Sequence, residues 1–274
     1  MNRMIPAAAL QTLMAERLST IKAVRFTGGS MDTYRIGDVT VQMECSGETL
    51  TKQAKPYRTE PLSPGDLPDI NIDINSENLK SRKEKYPHLT LNEWEYVQTG
   101  FAFYRDILDY DGFGLHSSAV ALENRAVLFS GSCGTGKSTH AGLWQQYFGK
   151  DKAVIVNDDK PVLRLVKGIF YAYGTPWSGK STLNANIRVP LGAIVFLQQA
   201  KENHIRRLDS KEAIRMLVYQ SLHPNNDLDK MNKLLTLIDA LLQKTTVYQM
   251  DCNISLEAVK LAFDTINHER TEQR

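Results

Sequence analysis

The sequence predicts an α/β chain of the α+β kind, with a mixed sheet around a glycine-rich loop, flanking helices and a small strand-rich N-terminal lobe. Three observations predict it. After residue 112, short apolar runs alternate with loops and helical stretches. Two of those runs, HSSAVAL and RAVLFS, face each other across Glu123-Asn124 as a hairpin, so the sheet is not purely parallel. Over residues 32–45 and 68–75 the apolar pattern has period two.

The boundaries follow from these patterns. Residues 1–90 read as the strand-rich lobe, with 1–30 readable as an extension, and 91–274 as the larger domain. MNRMIPAAALQTLMAERLSTI reads as an amphipathic helix; its apolar run is too short for a membrane span. Gly28-Gly29-Ser30-Met31 also fits a translated ribosome-binding sequence with Met31 as the start. DTYRIGDVTVQMEC reads as two strands around a Gly-Asp turn, residues 48–68 as loop, and PDINIDIN as a strand with Ile70, Ile72 and Ile74 on one face. SENLKSRKEKYPH reads as a solvated connection. Thr90-Leu-Asn-Glu93 is a capping box, followed at helical spacing by Trp94, Val97, Phe101, Tyr104 and Leu108 up to Asp111-Gly112. AVIVNDD, GIFYAY and GAIVFL are further strands, the last apolar on both faces. Helices follow near 210–222, 227–243 and 255–268, with the strand TVYQMD between the last two.

Composition narrows the function classes. The chain is 42% hydrophobic and 23% charged, with a net charge of +2 and no basic stripe, so nucleic acid is not the expected partner. Cys45, Cys133 and Cys252 lie far apart without a C-x-x-C, which predicts a reducing cytoplasm.

Two stretches fit the phosphate-loop pattern G-x-x-x-x-G-K-[ST]: GSCGTGKS at 131–138 and GTPWSGKS at 174–181. A phosphate loop turns successive backbone amides toward a polyphosphate and needs a strand before it and a helix after it. The first stretch has both, AVLFS before and THAGLWQQYF after, the latter with Leu143, Trp144, Tyr147 and Phe148 at helical spacing. Its binding residues are then Gly131, Ser132, Cys133, Gly134, Thr135, Gly136, Lys137, Ser138 and Thr139, with Lys137 on the β- and γ-phosphates and Ser138 on Mg²⁺. The second stretch fails: Pro176 has no amide hydrogen, Trp177 is too bulky for a backbone cradle, and TLNANIRVPLG is a poor helix. Lys180 remains a candidate on the acceptor side of the same reaction.

AVIVNDD ends a hydrophobic strand in Asp158 and Asp159. Neighbours on a strand point to opposite faces, so both carboxylates reach one site only if the strand ends there. One then holds metal while the other takes a proton from a hydroxyl acceptor. His116 precedes the loop by fifteen positions, at the start of the neighbouring strand.

The order His, strand, GSCGTGKST, helix, strand, Asp-Asp resembles the HPr kinase/phosphorylase family and its phosphoenolpyruvate carboxykinase-like relatives. LHSSAV, GTGKSTH, NDDKP and YGTPWSGK look like a group of HPr kinase-like bacterial proteins of mostly unassigned substrate. The resemblance covers roughly residues 95–200 with specific motifs and 200–265 loosely. It implies ATP at Gly131–Thr139, Asp158 as base, Asp159 beside Mg²⁺ and His116 next to the pair. It stops at the family's second signature, acidic-Arg-Gly-x-Gly, where GTPWSGKSTLNAN stands without a carboxylate. The expected activity is a Mg²⁺- and ATP-dependent kinase acting on a hydroxyl of a small molecule, serine or a peptide, with His116 tuning or orienting Asp158, and Lys180 and Arg188 at the acceptor. The roles of Asp158 and Asp159 are exchangeable at this level. A nucleotide-binding sensor acting on a small protein partner is the alternative.

Overall fold

The computed structural model describes residues 31–74, 89–224 and 226–272. The expected N-terminal helix and the charged connection at 76–88 lie outside the described residues.

Strands β1 (Asp32–Ile36) and β2 (Val39–Met43) pair antiparallel. Gly37 and Asp38 both take left-handed φ, 62° and 59°, as a two-residue hairpin turn requires. The loop expected over 48–68 begins instead with helix α1 (Glu48–Ala54) and a 3₁₀ turn at Lys55–Tyr57. No side chain within the segment caps α1. The Glu95 carboxylate does so from a distance, accepting from the backbone amides of Ser46 (2.7 Å) and Gly47 (2.6 Å). A cap from so far along the chain leaves no local pattern. Strand β3 (Ile70–Ile72) adds parallel to β2 with Ile70 and Ile72 buried, while Ile74 lies past its end.

Helix α2 (Leu91–Asp106) starts with the expected capping box, continues as a 3₁₀ turn to Tyr110 and stops at Asp111, whose φ is 54°. The rest of the chain runs β4 (Gly112–Leu115), β5 (Ser117–Leu122), β6 (Arg125–Ser130), α3 (Lys137–Phe148), β7 (Val154–Asn157), β8 (Val162–Val166), β9 (Ile169–Tyr173), β10 (Arg188–Gln199), β11 (His204–Arg207), α4 (Ser210–Gln220), β12 (Ser221–Leu222), α5 (Leu228–Leu242), β13 (Thr246–Cys252) and α6 (Leu256–Glu272). Strands β4 to β13 form one ten-stranded mixed sheet. β5 and β6 are the expected hairpin, with Glu123 and Asn124 at φ 49° and 61°. β10 lies parallel to β6 and β13.

This sheet has two wings. One is β12-β4-β8-β9 and the other is β7-β5-β6-β10-β13-β11. β10 belongs to both: Arg188–Pro190 pairs with β9, and from Leu191 onward it pairs with β6, with a register shift between Leu191 and Ala193. The chain also crosses between wings at His116, from β4 to β5, and at Asp158–Lys160, from β7 to β8.

Period-two burial explains the layers. On β5, Ala119 and Ala121 face the core under α4 and α5, while Val120 and Leu122 face the core under α3 and α6. β10 splits the same way, with Ile194 and Phe196 on one side and Val195 and Leu197 on the other. The all-apolar run GAIVFL thus reflects a strand covered on both faces. A third cluster joins the N-terminal strands and α1 to Phe103, Tyr104 and Ile107, to Val162 and Tyr173, and to Trp177.

Candidate active site at the seam of the sheet

Strand register brings three elements to one end of the sheet. Ser117 pairs with Ser130 and Ala119 with Asn157. His116, Gly131 and Asp158, each one position beyond a paired residue, therefore emerge together. At a seam the backbone leaves its ladder, and its polar groups find partners across the gap. His116 N donates to Gln220 O (2.9 Å), Ser117 N to Asp159 O (3.0 Å) and Asp158 N to Leu183 O (3.1 Å).

The loop 131–136 has the expected strand–loop–helix form. Gly131, Gly134 and Gly136 have φ of 146°, 83° and 94°. A side chain at Gly134 or Gly136 would meet nothing within 4 Å, so the backbone there borders open space. α3 begins at Lys137, with Gly136 as its N-cap and no side-chain cap, which leaves first-turn amides free for an anion. Lys137 folds over the loop, its Nζ donating to Gly131 O (2.9 Å) and Ser132 O (3.1 Å). Burial pulls the Lys137 ammonium below its usual pKa, with Asp159 and Asp158 acting in the opposite sense. Cys133 is exposed on this loop.

The two carboxylates follow the end of β7, which terminates at Asn157. Asn157 shapes their turn: its Oδ1 accepts from the amides of Asp159 (3.0 Å) and Lys160 (2.7 Å), and its Nδ2 donates to Thr175 O (3.0 Å). Asp158 is buried and accepts from Ser118 Oγ at 2.7 Å. Asp159 ion-pairs with Lys160 and sits 3.4 Å from His116 Nε2. Burial favours its neutral form, but Lys160 and His116 outweigh it and hold the carboxyl well below the usual carboxylate range. The Nδ1 of His116 lies 3.1 Å from Gln220 Oε1. The expectation that His116 orients Asp158 is therefore corrected: its ring meets Asp159, and Ser118 holds Asp158.

GTPWSGKS has a different place from the first loop. After β9 it forms turns, with no helix following. Trp177 is buried in the N-terminal cluster, stacked on Phe103 with ring centroids 4.9 Å apart, and its Nε1 donates to Thr99 Oγ1 (3.1 Å). Gly179 backs onto the Asp159 carboxylate so closely that a Cβ there would lie 2.9 Å from Oδ2. This turn is fastened by the N-terminal lobe. Gln53 of α1 accepts from Ser178 N and Oγ (3.3 and 3.1 Å) and donates to Gly179 O (3.2 Å), and Tyr96 Oη accepts from Gly179 N (3.0 Å). Lys180 is exposed beside that turn. Arg188 is not at the site: it pairs with Asp38 at 2.8 Å and covers the Tyr171 ring.

Comparison with known proteins adds little. No family model and no curated protein matches the chain. Among solved structures, the HPr(Ser) kinase/phosphatase from Coxiella burnetii aligns at 10% identity with a TM-score of 0.35, covering 59% of this chain and 99% of that one.

Local pattern missed Ser118, Asn157, Lys160 and Gln220. Ser118 was legible: two positions after His116 on an extended segment, it shares that residue's face. Asn before Asp-Asp is a turn signal. Gln220 carries none, because it reaches His116 through the return of α4 into β12.

The residues present fit a nucleotide and a hard divalent cation. The glycine backbone opens onto free space, and Ser138, Asp158 and Asp159 offer the hydroxyl and carboxylate oxygens that suit Mg²⁺. No group of three or more His, Cys, Asp or Glu able to hold a metal occurs among the described residues. Mg²⁺ on a phosphate substrate needs only one or two carboxylates, the phosphates and water supplying the rest.

Proposed function

We propose that this chain is a phosphotransferase that moves the γ-phosphate of ATP, with Mg²⁺, to a hydroxyl of a small molecule, serine or peptide. The observation that carries this reading is the convergence of the Gly131–Thr139 loop, the Asp158-Asp159 turn and His116 at one end of adjacent strands. Loop amides and Lys137 hold the polyphosphate, Lys137 exchanging its loop carbonyls for phosphate oxygens. Mg²⁺, held by Ser138 and Asp159, supplies charge neutralisation on the transferring group. Asp159, kept anionic by Lys160 and His116, is a weak base and suits the metal side. Asp158, fixed by a single hydroxyl from Ser118, takes the acceptor's proton. Lys180 stands at the acceptor side, next to the Gly179 turn that backs Asp159.

Residues up to about 90 are proposed as a separate lobe that docks on this turn through Gln53 and forms the floor of the acceptor site. The free cysteines suit a reducing cytoplasm, and no helix among the described residues is long and apolar enough to cross a membrane.

The test is transfer of labelled γ-phosphate from ATP into a metabolite and peptide extract by wild type, Lys137→Ala, Lys180→Ala and Asp158→Asn. Label in an organic product, lost in Lys137→Ala and Asp158→Asn, is expected. Lys180→Ala is expected to bind ATP and transfer poorly. ATP binding without transfer by wild type favours the nucleotide-sensor reading. Binding that survives Lys137→Ala but fails in Lys180→Ala would put the phosphates on the other loop.

A further inference from the structure

Lys160 follows the two carboxylates directly, and its backbone is pinned from three sides. Its N donates to Asn157 Oδ1 (2.7 Å), and its O accepts from Tyr104 Oη (2.6 Å) and Thr175 Oγ1 (2.9 Å). All three partners are buried. The side chain is largely buried as well, 13% exposed, and its ammonium is ion-paired with Asp159 Oδ2.

A second ammonium reaches the same carboxylate from another element. Lys137 stands at the start of α3 and is 8% exposed. Burial lowers its pKa most, Asp159 is the strongest attraction it feels, and Lys160 acts in the same sense as burial, as a like charge nearby does. Two ammonium groups from separate elements thus crowd one carboxylate where water reaches little of either. Like charges so placed repel, and an anion between them relieves the repulsion. The phosphate loop ends at Lys137, so the terminal phosphate of a nucleotide on that loop lies at this point. Lys180, in contrast, is exposed, and solvent screens its charge.

The pairing of Lys160 with Asp159 also has a limit. Asp159 turns Oδ2 to Lys160 and Oδ1 to His116, 3.4 Å away. Once an oxygen of Asp159 goes to a metal, Lys160 loses its partner while its backbone stays pinned. A buried charge left in this way needs another partner.

We propose that Lys160 is a catalytic residue, which passes from Asp159 to an equatorial oxygen of the γ-phosphate during transfer. The proposal rests on the reading of Gly131–Thr139 as the phosphate loop and of Asp159 as the metal-side carboxylate. In the step, the acceptor oxygen forms a bond to the γ-phosphorus. The bond from that phosphorus to the β,γ-bridging oxygen breaks, and its electron pair stays on ADP. The acceptor's proton goes to Asp158. Lys160 keeps its own protons and donates a hydrogen bond to the γ-oxygens, over which the charge of the transition state spreads. Lys137 does the same from the loop.

The test reads binding rather than turnover. Calorimetric titration compares MgADP alone with MgADP plus aluminium fluoride, a mimic of the transferring phosphoryl group, for wild type, Lys160→Gln and Lys160→Arg. Wild type is expected to bind ADP more tightly with aluminium fluoride. Lys160→Gln is expected to weaken the aluminium fluoride complex by about 10- to 100-fold, the effect of losing a hydrogen bond to a charged group. It should bind MgADP as tightly as wild type or more tightly, because no ammonium competes for Asp159. Lys160→Arg keeps the charge and is expected to recover much of the loss. Wild-type affinity for the aluminium fluoride complex in Lys160→Gln overturns the proposal. So does an equal loss of both ligands, which makes Lys160 a structural partner of Asp159 alone. Should Lys160→Gln not fold, the wild type decides by nuclear magnetic resonance of isotope-labelled lysine. The signal absent from Lys160→Arg should shift when aluminium fluoride joins MgADP, and an unmoved signal overturns the proposal. Wild type that binds MgADP and gains nothing from aluminium fluoride overturns the transferase reading and this proposal together. Wild type that does not bind ADP overturns the phosphate-loop reading itself.

Discussion

Gly174 and Gly134 stand in two stretches of the same sequence pattern, and the structure gives them opposite surroundings. A methyl group at Gly174 would land on the Ala185 carbonyl oxygen and 2.8 Å from Val156 O. An ordinary C···O contact is about 3.3–3.6 Å. Two backbone segments would have to part, and they are joined there by Ala185 N donating to Val156 O (3.0 Å) and Gly174 N to Ile187 O (3.3 Å). Losing one or two such bonds costs about 0.5–1.5 kcal/mol each, and forcing a methyl into a packed site costs about 1–3 kcal/mol. Gly174→Ala should therefore lose about 1.5–6 kcal/mol, a large part of the roughly 5–15 kcal/mol of a typical domain. Gly134 has only open space before it, so Gly134→Ala pays for its φ of 83° alone, about 1–2 kcal/mol. Urea unfolding followed by tryptophan fluorescence measures both, and ATP titration measures binding. Gly174→Ala should shift the midpoint strongly, and Gly134→Ala should chiefly weaken ATP. If Gly174→Ala unfolds within about 0.5 kcal/mol of wild type, the close packing behind the GTPWSGKS turn is not as described.

Three further outcomes follow from the same geometry. Cys133 is exposed while Cys252 is buried and Cys45 half-buried, with burial raising the Cys45 thiol to about 11; alkylation should mark Cys133 first, block nucleotide binding and be slowed by ATP, and labelling indifferent to ATP would count against this loop. Buried His140 has a pKa near 4, against 6.5 in the unfolded chain, so between these values only the unfolded state takes the proton. Stability should fall as pH drops from 6.5 toward 4, by about 3 kcal/mol from this residue, and unfolding midpoints of His140→Gln should show a correspondingly flatter slope over that range. Gln53→Leu leaves Ser178 and Gly179 without their partner and should cost about 1–3 kcal/mol; phosphate transfer should fall while tripolyphosphate affinity holds, and equal loss of both would make Gln53 purely structural.

Much of this protein was legible in its residues, for reasons that are local. The β5–β6 hairpin, the Thr90–Glu93 cap and the strand–loop–helix around Lys137 depend on neighbours a few positions apart. So do the turns, rather than a helix, that the chain forms through GTPWSGKS after β9. Tertiary structure decided what lies beyond such range. It capped α1 with Glu95, turned His116 toward Asp159 and left Asp158 to Ser118, drew Arg188 away to Asp38, and fastened the Gly179 turn with Gln53. Each of these is a buried polar pairing between segments tens of positions apart, and local periodicity carries no trace of which partner will arrive. The sequence by itself determined which groups are candidates for chemistry; the seam between the two wings of the sheet decided which of them meet.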